Sequence, residues 1–312
     1  FYDNLYQMDG MSLNNDIGPV SSNPASNTTP PSASQGFAVD TSLLCDVTVL
    51  DSNIGAEYGR FKGGVVKANT CAPTRKLSGQ VSVESTRSSW MQYKLNDSQK
   101  ESATTSTTAA LQPEFEKWTY RAALQGKVTE NFSLIGSFIR KTSDIPLNGY
   151  GNRLQSESDA NRKVQKRGSD NAFVRGFWTI GPGVLADFSL MHAPASGDYF
   201  IANAKNSTYH LKSGGTGVNL GLTHPVGLLG NAKAEHRLSW NKMDSSRDAD
   251  ASVWKAWRYS SGKNWGVKTG TGATGWASNE GGWGDVDQEQ ENIAYQGKLK
   301  WEPLDLLGAA HT

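Results

Sequence analysis

From Lys76 onward, apolar and polar residues alternate in runs, which predicts strands with one apolar and one polar side. The first run sets Leu77, Gly79, Val81 and Val83 against Ser78, Gln80, Ser82 and Glu84. Trp118, Tyr120, Ala122 and Leu124 then oppose Thr119, Arg121, Gln125 and Lys127, and only Thr129-Glu130-Asn131 separates this run from the next, 132–141. A gap that short is a tight hairpin. Runs 171–180 and 184–192 are joined by Gly181-Pro182-Gly183, and runs 212–223 and 231–241 by residues 225–230. The run 292–301 leads through Glu302-Pro303-Leu304-Asp305 toward the end of the chain. Long polar gaps at 91–115, 145–168, 194–209 and 242–290 fall between these hairpins.

Short and long connections therefore alternate, as they do in outer-membrane barrels, where tight turns lie on the periplasmic side and long loops outside the cell. The faces agree with that assignment. Ala232, Ala234, His236, Leu238 and Trp240 oppose Lys233, Glu235, Arg237 and Ser239; Ile293, Tyr295, Leu299 and Trp301 oppose Gln296, Lys298 and Lys300. A wide barrel turns the first set to lipid and the second to a wet lumen. Trp178 and Trp301 sit beside short turns, and Trp118 and Trp240 beside long gaps, as two interfacial girdles would. The predicted fold class is all-β: a transmembrane antiparallel β-barrel segment. Its runs, about nine with the last incomplete, imply a larger barrel, because bacterial barrels close with even strand numbers.

Composition narrows the choice. The 312 residues are 37% hydrophobic, with a mean hydropathy of −0.54. No run approaches the ~18 apolar residues of a spanning helix, so a helical membrane protein is excluded while a barrel is not. Thirty-one basic residues against 30 acidic ones point to no polyanionic partner, and nucleic acid is not expected.

The first quarter has another texture. Residues 44–50 alternate, with Val47 and Val49 opposite Asp46 and Thr48, and predict a half-buried strand; residues 64–70 predict a second. Between them Gly55, Gly59 and Gly63-Gly64 permit tight turns. Antiparallel pairing with Cys45 opposite Cys71 would set Val47 against Asn69 and Val49 against Lys67. That geometry suits a disulfide in an oxidising compartment; two unpaired thiols are the alternative. The order of a Val-Thr-Val strand, Ala56-Glu57-Tyr58-Gly59-Arg60 and Gly63-Gly64-Val65-Val66 resembles the C-terminal part of the plug of TonB-dependent outer-membrane receptors. Met8-Asp9-Gly10-Met11-Ser12-Leu13-Asn14-Asn15 resembles another plug segment of that family.

The resemblance implies a plug remnant over residues 1–75 and the N-terminal part of a barrel of about 22 strands over 76–312. It further implies a fragment of a longer receptor, whose signal peptide, TonB-binding segment, first half of the plug and remaining barrel lie outside this sequence. Such receptors bind a scarce nutrient (an iron chelate or siderophore, cobalamin or an oligosaccharide) at the extracellular mouth, and the TonB–ExbB–ExbD complex moves the plug. Outer-membrane lipid and lipopolysaccharide would surround the barrel. Glu57 and Arg60, in the turn between plug strands, are expected to meet barrel-wall charges such as Arg121, Lys127, Lys233 or Lys298.

Catalytic chemistry is sparse. The five histidines show no metal-ligand spacing, the glycine-rich stretches precede no helix, and no serine sits on a nucleophile elbow. Neither an enzyme nor a cofactor is expected. Two stretches are candidates for ligand contact. In the polar loop after the Asp-Gly strand these are Asn14, Asn15, Asp16 and Asn23, with a solvated loop as the alternative. In the gap 242–290 they are Trp254, Trp257, Tyr259, Trp265, Trp276 and Trp283, which hold five of the ten tryptophans. Rigid aromatics with polar neighbours make good platforms, though tryptophans packed on one another would simply hold a loop shut. A soluble all-β carbohydrate-binding protein and a passive porin or adhesin are the rival readings.

Overall fold

The computed structural model describes residues 4–17, 36–37, 39, 41, 44–55, 58–59, 61–71, 73, 76–150, 162–227, 232–258, 267–268, 276–301, 304–306 and 309–311. A small sheet comes first in the chain. Its strands are β1 (Leu5–Met8), β2 (Met11–Ser12), β3 (Leu44–Leu50) and β4 (Val65–Thr70), in the order β2-β1-β4-β3. The β1–β4 pair is parallel and the other two pairs antiparallel. Asp9 and Gly10 make the β1–β2 turn with φ of 50° and 88°. Both values are left-handed, as a two-residue hairpin requires, and Asp-Gly supplies them at least strain.

The β3–β4 register differs from the expected one. Leu44 pairs with Thr70, two positions from its expected partner, and a bulge at Cys45 reduces the offset to one, so that Asp46 faces Asn69, Val47 faces Ala68 and Val49 faces Val66. Cys45 and Cys71 are nonetheless bridged, with Cα atoms 4.9 Å apart. Nor is β3 half-buried: Val47 is 53% and Val49 64% exposed, because the strand is the sheet's edge.

The second sheet is a meander of eight antiparallel strands among the described residues. It contains β5 (Ser78–Arg87), β6 (Glu116–Lys127), β7 (Phe132–Asn148), β8 (Arg162–Gly181) and β9 (Val184–Phe200). The short β10 (Ala204–Lys205) precedes β11 (Thr208–Val226) and β12 (Ala232–Ala249). After β13 (Trp254–Arg258), β14 (Val267–Lys268) and β15 (Trp276–Gly281) comes β16 (Glu289–Lys300), which pairs with β12 and ends the order β16-β12-β11-β9-β8-β7-β6-β5. The incomplete ninth run does not join this sheet: β17 (Leu304–Leu306) pairs with β18 (Ala309–His311).

The polar gaps at 145–168, 194–209 and 242–290 hold far more strand than expected. β7 continues to Asn148 and pairs there with Arg162, and β8 is 20 residues long, about twice what a bilayer needs. Beyond the apolar band these strands keep a buried side, but its residues mix Ile145, Leu147 and Tyr209 with Gln165, Ser245 and Arg247, so no apolar face marks them. β10, β13, β14 and β15 form a small sheet of their own. In the gap 91–115 an unexpected helix, α1 (Asp97–Thr104), starts at a capping box formed by Asn96 and Gln99.

One face of the large sheet is apolar and open. Val81, Tyr120, Leu124, Phe138, Leu190, Leu220, Leu238, Ile293 and Leu299 all project from it, with Trp178 and Trp301 beside the short turns. On β16 this band runs from Ile293 to Trp301, about nine residues, or roughly 23 Å at the usual tilt. At its other edge Trp240 donates its indole N–H to Glu291. The opposite face carries the core. There Ile135, Phe173, Met191, Ala193 and Met243 of the large sheet pack against Met8, Met11, Leu13 and Phe37. The small sheet thus seats on the inward wall and not on the apolar band.

Candidate functional site

The seat is polar at its centre. The Asp9 carboxylate, 1% exposed, accepts from the Arg175 guanidinium, from Thr70 Oγ1 at 2.8 Å and from the Thr70 amide at 3.1 Å. Arg175 also donates to Thr70 Oγ1 at 2.5 Å and lies 3.6 Å from Asp187 Oδ2. The Asp9 carbonyl accepts from Asn219 Nδ2 at 2.6 Å and Arg237 Nη1 at 2.7 Å. Arg237 reaches the same Asp187 oxygen at 3.6 Å. Two aspartates and two arginines thus neutralise one another around a single turn. The cluster joins β1 and β4 to β8, β9, β11 and β12.

Missing side chains make this approach possible. A Cβ on Gly10 would stand 2.6 Å from Arg237 Cδ, and one on Gly221 would stand 2.3 Å from Asp187 Oδ1. Gly217 leaves the same kind of space for the Met11 sulfur. Amides extend the seam: Asn241 Nδ2 donates to the Ser12 carbonyl at 2.9 Å, and Gln290 bonds both the Asn14 carbonyl and the Asp16 amide. Most of these wall groups bind backbone, so they recognise the path of β1 and β2 more than their side chains.

The expected ligand contacts divide. Asn14 is buried, with Oδ1 accepting from the Tyr6 amide at 2.8 Å and Nδ2 donating to the Asn4 carbonyl at 3.0 Å, so its polar atoms serve the small sheet itself. Asn15 is also buried and accepts from the Ile17 amide; Asp16 is exposed. Trp254 and Trp283 stack with centroids 4.7 Å apart. Trp257 is 45% exposed and donates to Glu280 Oε2 at 3.0 Å. That hydrogen bond, helped by one from Asn206 and by Lys255 and Lys205, holds the Glu280 carboxyl below its ordinary range. Asn23, Glu57, Arg60, Tyr259, Trp265 and the Trp276 side chain lie outside the described residues. Of the wall charges expected to meet Glu57 and Arg60, Arg121 bonds Glu84 on its own sheet at 3.0 Å. Arg175, Asp187, Asn219 and Asn241 were not singled out from the sequence, where each is one more polar residue on an inward face.

No family model matches the chain. It is 25% identical to the uncharacterized protein YddB of Escherichia coli (strain K12) over 316 residues, which covers 99% of this chain and 38% of YddB. The crystal structure of the outer membrane transporter YddB from Escherichia coli aligns with a TM-score of 0.79 at 24% identity, over 98% of this chain and 38% of that one. The siderophore receptor PirA from Pseudomonas aeruginosa aligns at 14% identity and a TM-score of 0.36, over 97% of this chain and 47% of its own. The chain spans little more than a third of the curated relative's length. Its fold is that of a plugged outer-membrane β-barrel transporter.

Proposed function

We propose that this chain is the plug-seating part of an energy-coupled importer in the outer membrane, with residues 1–75 contributing to the plug and 76–312 to the barrel. In this reading the receptor binds a scarce nutrient, such as an iron chelate, cobalamin or an oligosaccharide, at its extracellular mouth. The TonB–ExbB–ExbD complex then displaces the plug. The observation that carries the proposal is the Asp9 turn, held on the inward wall by Arg175, Arg237 and Asn219. Beside the apolar contact of Met8, Met11, Leu13 and Phe37 with the wall, these ion pairs and amides can be resolvated in a wet lumen when the plug moves.

The small sheet on the inward wall speaks against a passive porin or adhesin. The apolar outward band speaks against a soluble carbohydrate-binding protein, because patches of that extent on a soluble monomer are rare. At the mouth, Trp257 and Asp16 are the described candidates for ligand contact, with Asn23, Tyr259, Trp265 and Trp276 on the same segments; Trp254 and Trp283 brace each other, and Asn14 and Asn15 support the plug from within. Glu57 and Arg60 would add contacts at the plug's other turn. The test is nutrient-limited growth and radiolabelled uptake by cells carrying the full-length receptor, with and without TonB. Uptake is expected to require both, and uptake that persists without TonB would refute the coupling.

A further inference from the structure

On the outward face, near the short-turn end, three polar side chains interrupt the apolar band. His224 lies two residues before the end of β11, His236 is on β12 and Tyr295 is on β16. The two histidines are 12 positions apart in the sequence, a separation that suggests no shared ligand. The β11–β12 register sets His224 beside Ala234 and His236 beside Leu222, which makes them diagonal neighbours on one face. Their half-buried rings stack with centroids 5.3 Å apart, and their Nε2 atoms stand 3.2 Å from each other. His224 Nδ1 lies 3.1 Å from the Pro225 carbonyl. A carbonyl only accepts, so Nδ1 carries the proton and Nε2 presents a lone pair. His236 Nδ1 meets the Tyr295 hydroxyl at 2.8 Å. Room for that hydroxyl comes from Gly297, which pairs with His236: a Cβ there would stand 3.2 Å from Tyr295 Oη.

We infer that His224 and His236 are the two protein ligands of a Zn²⁺ site on the membrane-facing wall. With metal–nitrogen bonds of about 2.05 Å, nitrogens 3.2 Å apart subtend roughly 103° at the metal, near the tetrahedral angle; a square-planar ion would need them about 2.9 Å apart. The far nitrogen of each ring already has the kind of partner that fixes the tautomer of a metal-bound histidine: the Pro225 carbonyl for one and the Tyr295 hydroxyl for the other. Without metal, His236 Nε2–H donates to His224 Nε2 and the Tyr295 hydroxyl donates to His236 Nδ1. With metal, that proton moves from Nε2 to Nδ1 of His236 and Tyr295 Oη becomes its acceptor. Both Nε2 lone pairs then reach the ion, and the pair neither gains nor loses a proton. Two coordination positions stay open to water or to headgroup oxygens, since His224 is roughly 7 Å from the strand end. Polar side chains in a lipid-facing band are costly and mark function more often than packing. A bound ion would clip β11 to β12 and, through Tyr295, order β16; none of this depends on the importer reading.

The test uses the full-length receptor in detergent, purified without a polyhistidine tag, stripped with chelator and titrated with Zn²⁺ against a fluorescent chelator. One equivalent is expected whose affinity falls at least about a hundredfold in H224Q and in H236Q, and about tenfold in Y295F, which keeps both ligands. H192Q changes another histidine of the large sheet, one that bonds Thr216 instead, and should leave that equivalent unaltered. Far-ultraviolet circular dichroism checks that each variant is folded, and Zn²⁺ should raise the melting temperature of wild type more than that of H224Q. The zinc-edge X-ray absorption spectrum of this equivalent should show two imidazole ligands. An identical Zn²⁺ titration in wild type, H224Q and H236Q overturns the proposal and leaves the pair as a hydrogen bond between rings. A spectrum with sulfur or with carboxylates in place of the imidazoles overturns it equally, by placing the ion elsewhere.

Discussion

Replacing Asp9 by Asn tests the seat directly. The turn's backbone bonds to Asn219 and Arg237 survive the change, but the charge opposite Arg175 is lost. Arg175 is only 10% exposed, and its nearest remaining carboxylate, Asp187, is 3.6 Å away. Breaking one side of a buried ion pair costs about 3–5 kcal/mol. Asp187 places this case at the lower end, about 3 kcal/mol, which makes opening of the seam roughly a hundredfold more frequent. Hydrogen exchange of the full-length receptor reads that number: amides of Leu5–Ser12 should lose about two decades of protection while the β6–β7 hairpin is unchanged. A cycle with R175M should show coupling of more than about 1 kcal/mol between the two positions. Unchanged protection in D9N, or additive effects in the cycle, would refute the claim that this pair holds the plug.

Two further outcomes follow from the same geometry. The Cys45–Cys71 bridge spans a sequence separation of 26, for which loop-closure entropy predicts about 3.5 kcal/mol; C45A/C71A should raise the protease sensitivity of residues 44–71 accordingly, and equal sensitivity with and without the bridge would contradict it. At the mouth, Glu280 has a depressed pKa chiefly through Trp257, so its contribution to stability is present above its ordinary 4.5 and is lost as pH falls through the depressed value. W257F should move that loss to higher pH, read as exchange protection of β13 and β15 against pH; identical profiles in wild type and W257F would show that the indole bond plays no part.

Much of the wall was legible because a strand records its surroundings locally. Leu220 and Leu238 differ from Asn219 and Ser239 by one position, and that step is the difference between lipid and lumen. The hairpins at 129–131 and 181–183 and the girdle tryptophans were readable for the same reason. The α1 capping box was also present in the letters Asn96 to Gln99, but seven polar residues and a single alanine give no apolar stripe to draw attention to it. Beyond the apolar band the signal faded, since the buried positions there mix Ile145 and Leu147 with Gln165, Ser245 and Arg247, and the outer parts of β7, β8 and β12 read as loops.

The sequence by itself determined the strand class, the membrane-facing side and the presence of a separate small sheet. All three depend on neighbours within a few residues and on the polarity of the surrounding medium. Only the tertiary structure decided that Asp9 meets Arg175, 166 positions away, that the β3–β4 ladder carries a bulge at Cys45, and that Asn219 and Arg237 converge on the Asp9 carbonyl. Those outcomes depend on how two sheets dock, and docking is set by shape and charge summed over the whole interface, a quantity that no stretch of the chain carries alone.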